Sequence, residues 1–290
     1  MPFNPPCLVF TDLDGTLLDH FSYSHEAAMP MMVKLQAANI PIIINTSKTF
    51  AEVVDIQGSL DIEAPFIVEN GAAIFLPKSQ FKACPTGCVD FQNYWLKSFS
   101  QPRAYWLTLL KNEAQEYQDQ FQGFSELSTK TIANLTGLSL SQAEKANQRL
   151  FNEPVLWHDT AQKAQAFINH MKNRGANVLR GGRFIHIGDF TDKGKALQWL
   201  TALYQKSNSA PITTLALGDG ENDNAMLEAA SIAIQIRSPA HGFPKLSTSQ
   251  FTYQSQAYGP AGWSEALAFL IPSIWSTNNN CSTTKERKYG

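Results

Sequence analysis

The residues best suited to chemistry stand in the short stretch "VFTDLDGTLLD", where Asp12 and Asp14 close an apolar run. Alternate residues of a strand face the same way, so both carboxylates converge at the strand's carboxyl end while Leu13 turns into the core. Aspartate is a poor strand former, and two such carboxylates repel unless a cation joins them or one stays protonated. An Asp-Gly turn leading to a helix cap would explain the pattern without chemistry, Gly15 supplying the freedom for the turn.

A second acidic cluster counts against that plain explanation. "LALGDGENDNAML" sets Asp219 directly after another apolar run, with Asn222 and Asp223 opening a helix. Asp12, Asp14 and Asp219 would offer hard oxygen donors for Mg²⁺ at one sheet edge, with Asn222 and Asp223 orienting the ion or holding its waters. Either of the last two can equally cap the helix. An aspartate at such a site can attack phosphorus, and a carboxylate two residues on can protonate the leaving oxygen and then activate water. "IIINTSKT" ends a strand with Thr46 and Ser47, whose hydroxyls and N–H groups suit phosphate oxygens. "TDKGKAL" puts Lys193 at a helix start, where a cation offsets phosphate and carboxylate charge. Singly these two are weak, and a solvated lysine is the usual explanation for Lys193 or Lys195.

The elements that must carry these fragments alternate strand and helix. "CLVFT", "IPIIIN", "TTLALGD" and "SIAIQI" read as buried strands; "HEAAMPMMVKLQAAN", "AEVVDIQGSL", "TDKGKALQWLTALYQ" and "NDNAMLEAA" read as helices. That alternation predicts βαβ units and an α/β fold: a three-layer, Rossmann-like core with a mainly parallel sheet, ligands binding at its carboxyl edge. "PFIVENGAAIFL" adds strand, turn and strand. From about Lys82 to Gly182 the chain turns to Gln, Asn, Ser and Thr, with helical spacing in "YWLTLLKNEAQEYQDQF" and "SLSQAEKANQRLF". "EPVLWHD" and "NVLRGGRFIHIGD" read as strands of a different sheet. The expected division is a core of residues 1–81 and 183–275, an inserted smaller second domain over 82–182, and a flexible polar tail over 276–290.

Composition narrows the partners. The chain has 290 residues, 17% charged, with a net charge of -2, so no polyanion footprint is expected. No apolar run approaches the roughly 20 residues that span a bilayer, and the start lacks the basic and apolar regions of a signal peptide. Of the four cysteines only Cys84 and Cys88 are close, and no second pair at zinc spacing accompanies them. A cytoplasmic enzyme acting on a small molecule is the expectation, with no nucleic-acid or membrane partner.

DxDGT, a strand-terminal Thr-Ser, a later lysine and GDGxND, in this order over about Leu8 to Ile236, resemble motifs I to IV of the haloacid dehalogenase superfamily. The resemblance implies an Mg²⁺ phosphatase with Asp12 as nucleophile and Asp14 as general acid/base. The Asp14 backbone carbonyl and Asp219 then complete the metal site, Thr46 binds phosphate, and Lys193 is the motif III lysine. An insert between motifs II and III resembles the C2-type cap. "TSKT", "ENGAAI", "LTGLS", "GGRFIH", "DKGKA" and "GPAGW" together are similar to the mannosyl-3-phosphoglycerate phosphatase family. That likeness implies a glycosyl-3-phosphoglycerate substrate, for which Ser47, Lys48, Asn70, Arg183 and His186 are candidate contacts and Glu69 an orienting neighbour. A phosphohexomutase, a broad sugar-phosphate phosphatase and a non-catalytic phospho-sugar sensor are the alternatives.

Overall fold

The computed structural model describes residues 7–181, 183–247 and 251–282. β1 (Cys7–Thr11) is buried along its whole length, as a continuous apolar run must be in a sheet covered on both faces. α1 (Met29–Ala37) takes Pro30 in its first turn, where the missing N–H breaks no helical bond. β2 (Ile42–Ile44) follows. α2 (Phe50–Ser59) starts at a capping box: the Glu52 N–H donates to Thr49 Oγ1 and the Thr49 N–H to Glu52 Oε2. β3 (Phe66–Val68), β4 (Ala73–Pro77), β5 (Val89–Phe91) and β6 (Tyr94–Ser98) form an antiparallel sheet in the order β3-β4-β6-β5.

The insert then runs through α3 (Arg103–Glu113), β7 (Phe121–Gly123), α4 (Thr129–Thr136), α5 (Leu140–Asn147), β8 (Glu153–Trp157), α6 (Ala161–Asn173), β9 (Asn177–Gly181) and β10 (Phe184–Gly188). Its sheet has the order β7-β8-β10-β9 and is antiparallel. The chain returns to the core with α7 (Lys193–Gln205), β11 (Thr213–Gly218), α8 (Asn224–Ala229), β12 (Ile232–Arg237), β13 (Thr252–Tyr258) and α9 (Gly259–Ser282).

The core sheet, β13-β12-β11-β1-β2, is parallel throughout. A parallel bridge from Asn45 to Ile67 joins β3 to its β2 edge. Side chains alternate between two apolar layers: Cys7 and Val9 pack with Met32, Val53 and Trp263 on one face, Leu8 and Phe10 with Leu197, Leu200 and Leu227 on the other. Helices on both faces of a mainly parallel sheet, with a smaller α/β insert, are the α/β architecture expected.

Strand pairing crosses the division expected at 82 and 183. β5 and β6 hydrogen-bond back to β4, and Tyr94 and Leu96 pack on the core layer that holds Phe66 and Phe75. β10, counted with the core in the sequence reading, lies between β8 and β9. Composition reports how polar a strand is but not which partner it pairs with. The helical spacing in "YWLTLLKNEAQEYQDQF" ends at Glu113, after which a short turn and β7 complete the segment. The helical backbone of α9 runs to Ser282, into the stretch expected to be flexible, and residues 283–290 lie outside the described residues.

Candidate active site

β1 and β11 are parallel neighbours, so their carboxyl ends place Asp12 and Asp219 side by side. The chain turns away from β1 at Gly15, whose φ of 78° lies in the left-handed region. A Cβ there would lie 2.6 Å from Asp219 Oδ2, so only glycine fits. β1 is braced from behind: Trp263, fully buried, donates from Nε1 to Thr11 Oγ1, which donates to the Asp12 carbonyl. This gives the "GPAGW" segment a physical task.

Asp12, Asp219 and Asp223 are all buried and bring carboxylate oxygens within 4.8 Å of one another. Lys193, at the start of α7 and fully buried, donates from Nζ to Asp12 Oδ1 at 2.7 Å and to Asp223 Oδ1 at 2.6 Å. Asp223 Oδ2 accepts the Asp219 and Gly220 N–H groups, while Asp219 Oδ1 accepts from Thr16 and its Oδ2 lies 3.5 Å from His241 Nε2. Burial, which Lys193 opposes and Asp223 and Asp14 reinforce, pushes Asp12 up to about 7. Burial likewise raises Asp219, with Asp223 adding to it. Burial works against the Lys193 charge, yet Asp12 and Asp223 outweigh it and hold the ammonium above its ordinary range.

Asp14 stands apart from that trio. Its Oδ2 meets Lys48 Nζ at 2.8 Å, and its Oδ1 is buried with no hydrogen-bond partner among the described residues. Burial opposes the Lys48 charge as well, but Asp14 and Glu52 raise it above the ordinary lysine range. Thr46 is buried after β2; its N–H is taken by the Ile67 carbonyl, and its Oγ1 accepts from the Lys48 N–H. Its hydroxyl proton is therefore the group left to donate.

The "ENG" segment ties this loop to the insert. Glu69, Asn70 and Gly71 have φ of 49°, 57° and 88°, three left-handed residues in a row. The Glu69 N–H donates to the Lys48 carbonyl and the Asn70 N–H to the Thr46 carbonyl. A Cβ at Gly71 would lie 2.1 Å from the Asp192 carbonyl oxygen, so the turn is pressed against the start of α7. The buried Glu69 carboxylate accepts the Leu150 N–H at 2.7 Å, the Phe151 N–H at 3.2 Å and Asn152 Nδ2 at 2.7 Å. Arg149 completes the joint, 3.6 Å from Glu69 and donating to the Ser47 carbonyl at 3.0 Å.

The remaining sequence candidates fall at different places. Asn222 is exposed, and its side chain reaches Asn70 Oδ1 at 3.5 Å, at the rim. Arg183 donates to the Leu135 carbonyl within the insert. His186, on β10, is pushed down to about 4 by burial and by neighbouring Arg149, so it is a neutral imidazole at pH 7. Arg149, Glu69 as a clamp, and His241 beside Asp219 were not legible as a group, because each reaches the site across long sequence separations.

The donor set suits a hard divalent cation. Three buried carboxylates lie together with one ammonium held between two of them, every donor is oxygen, and Asp14 holds an unpartnered buried oxygen close by. The described helices include none long and apolar enough to cross a membrane.

The sequence pattern of haloacid dehalogenase-like hydrolases matches residues 9–242. A glucosyl-3-phosphoglycerate/mannosyl-3-phosphoglycerate phosphatase of Methanococcoides burtonii is 33% identical over 274 residues, 94% of this chain and 98% of its own length. A protein of the same name from Persephonella marina is 33% identical over 270 residues, 92% of this chain and 98% of its own. Among solved structures, TM0651 of Thermotoga maritima superposes with a TM-score of 0.64 at 16% identity, over 91% of this chain and 97% of that one. BT1666 of Bacteroides thetaiotaomicron, described among phosphatases of the haloalkanoate (HAD) superfamily, gives 0.63 at 17% identity over 92% and 96%. These two establish a shared fold. With its paired strand-end aspartates and capped α/β core, the chain belongs to the haloacid dehalogenase-like hydrolase family and is a phosphoric monoester hydrolase.

Proposed function

We propose that this phosphatase is Mg²⁺-dependent, works through an aspartyl-phosphate on Asp12, and takes a mannosyl- or glucosyl-3-phosphoglycerate as substrate. The observation that carries the chemistry is a buried Asp12 held by Lys193 at 2.7 Å, with Asp14 two residues on at the same strand end. The names of the two relatives support the substrate class.

Asp12, the Asp14 backbone carbonyl and Asp219 would hold the ion. When bound, it neutralises charge gathering on phosphate and carboxylates. Asp223 keeps Lys193 and the Asp219 backbone in place, and Asn222 lies outside this ring. Lys193 fixes one Asp12 oxygen and leaves the other to the substrate. Asp12 attacks phosphorus in line, and the electron pair of the breaking P–O bond leaves on the alkoxide oxygen, which takes the Asp14 proton. A water then gives a proton to Asp14 and attacks the same phosphorus. The Asp12–P bond breaks, releasing inorganic phosphate. The Thr46 hydroxyl and the Ser47 N–H and hydroxyl suit the equatorial oxygens. Lys48, beside Asp14, suits the glycerate carboxylate. Asn70 lines the rim, and Arg149, anchored on Ser47 and Glu69, replaces Arg183 as the insert's cation nearest the phosphate loop.

Phosphate release from a panel of glycosyl-3-phosphoglycerates, 3-phosphoglycerate and hexose phosphates tests this, with Mg²⁺ and with EDTA. The expected kcat/KM favours a glycosyl-3-phosphoglycerate by about 10²-fold and disappears in EDTA. Broad, weak hydrolysis would remove the named substrate. Isomerisation of mannose 1-phosphate without phosphate release would favour a mutase.

A further inference from the structure

Resting on that reading, we propose that the groove between the Asp19–His25 loop, α2 and the α4–α5 turn is the subsite for the substrate's uncharged sugar ring. Tyr23 of the core and Gln142 of the insert are its two working walls. The groove has a volume of about 280 Å³, room for a single ring, and is bordered also by Lys48, Glu52, Asp55 and Lys145.

Continuity with the reaction comes first. Lys48 lines the groove and touches Asp14 at 2.8 Å, which sets the groove one side chain away from the group proposed to protonate the leaving oxygen.

Charge argues for a neutral occupant. Lys48 is answered by Asp14 and Lys145 by Asp55, while Glu52 Oε2 accepts the Thr49 N–H. With Lys48, at the Asp14 end, given to the glycerate carboxylate and Lys145 paired with Asp55, no lysine of the groove is left to hold a further anion. What remains suits hydroxyls: the Gln142 Oε1 is held by the Ser139 N–H, leaving its NH₂ to donate, and Glu52 has further accepting capacity.

Tyr23 supplies the apolar face that the C–H side of a sugar ring needs. It is 47% exposed and has a φ of 57°, uncommon for so bulky a residue. The turn holding it is tightly tied. Asp19 Oδ1 accepts from the Phe21 N–H, the Ser22 N–H and the Ser22 hydroxyl, and the Tyr23 N–H donates to the Asp19 carbonyl. The product of that turn is an aromatic ring facing the groove, 5.7 Å from Lys48 Nζ at its centroid. Gln142 and Lys145 come from α5, so the subsite is complete only with the insert seated on α2, as it is through the Thr49 hydroxyl and the Lys145 carbonyl.

The test compares kcat/KM for a glycosyl-3-phosphoglycerate with that for 3-phosphoglycerate in wild type, Tyr23→Ala, Tyr23→Phe and Gln142→Ala. Both alanine variants should lower the ratio about tenfold, through KM, while Tyr23→Phe retains it. Both side chains sit at the surface, and melting temperatures close to wild type would verify folding. A wild type without preference for the glycosylated substrate would end the functional reading and the subsite with it. A wild-type preference with an unchanged ratio in the alanine variants, or equal losses on both substrates, would overturn the subsite alone.

Discussion

Two buried charge clusters, one in the insert and one in the core, are built on opposite principles. In the insert, Glu153 is fully buried: its Oε2 accepts from Arg103 Nε, and its Oε1 from the Ser125 N–H and hydroxyl. The Arg103 guanidinium completes itself on the Asn147 carbonyl and side-chain oxygens. One charge meets one charge, and both carboxylate oxygens have partners. In the core, Asp12 and Asp223 share the single ammonium of Lys193 while Asp219 lies beside them, so three buried carboxylates crowd one buried cation. A cluster that only holds a fold together is stable when balanced. An unbalanced one implies that something positive, or something that changes charge, completes it.

The largest effect should come from breaking the unbalanced cluster. Asp12→Asn keeps the shape and removes the carboxylate proposed to attack phosphorus, so phosphate release should fall by about 10³-fold or more while the fold persists. Retained turnover would remove Asp12 from that role. The balanced cluster should break the other way. Glu153→Ala strands Arg103 and is expected to cost about 3–5 kcal/mol of stability in a denaturant melt, with kcat largely kept in the folded fraction. Loss of kcat without loss of stability would dissolve the contrast between the two clusters.

A smaller effect sharpens it. Asp12 has a folded pKa of about 7, raised above that of an unfolded aspartate, so its contribution to stability is present below about 3.9 and is lost as pH rises through about 7. Asparagine has no such dependence. In EDTA, the melting temperature of Asp12→Asn minus that of wild type should therefore grow by a few degrees between pH 4 and 8. Adding Mg²⁺ at pH 8 should stabilise wild type and narrow the gap. A gap independent of pH would show that burial does not hold Asp12 in its protonated form.

Much of the core could be read from the chain because its evidence is local. Asp12 and Asp219 each directly follow a buried strand, so the pairing of β1 with β11 sets them side by side, whereas Asp14, beyond the strand's end, turns to Lys48 instead. Lys193 was legible as a lysine at a helix start, but its complete burial between two carboxylates was not, since a solvated lysine has the same local sequence. Pairing across the insert's seams is hidden for a related reason: β6 and β10 are ordinary strands until their partners are known. The joint of Glu69 with Arg149 to Asn152 spans about eighty residues of sequence, and no periodicity reports so distant a pairing.

That joint bears on how such a chain can be rebuilt. The carboxylate that receives the insert's returning backbone belongs to the core, in a turn with three left-handed residues that also grips the Thr46–Lys48 segment and abuts Asp192. An insert grafted here from another protein would have to present N–H groups at the same three points, or leave a bare carboxylate in the interior. The cap is thus not a detachable cassette: exchanging it requires recoding the receiving turn as well.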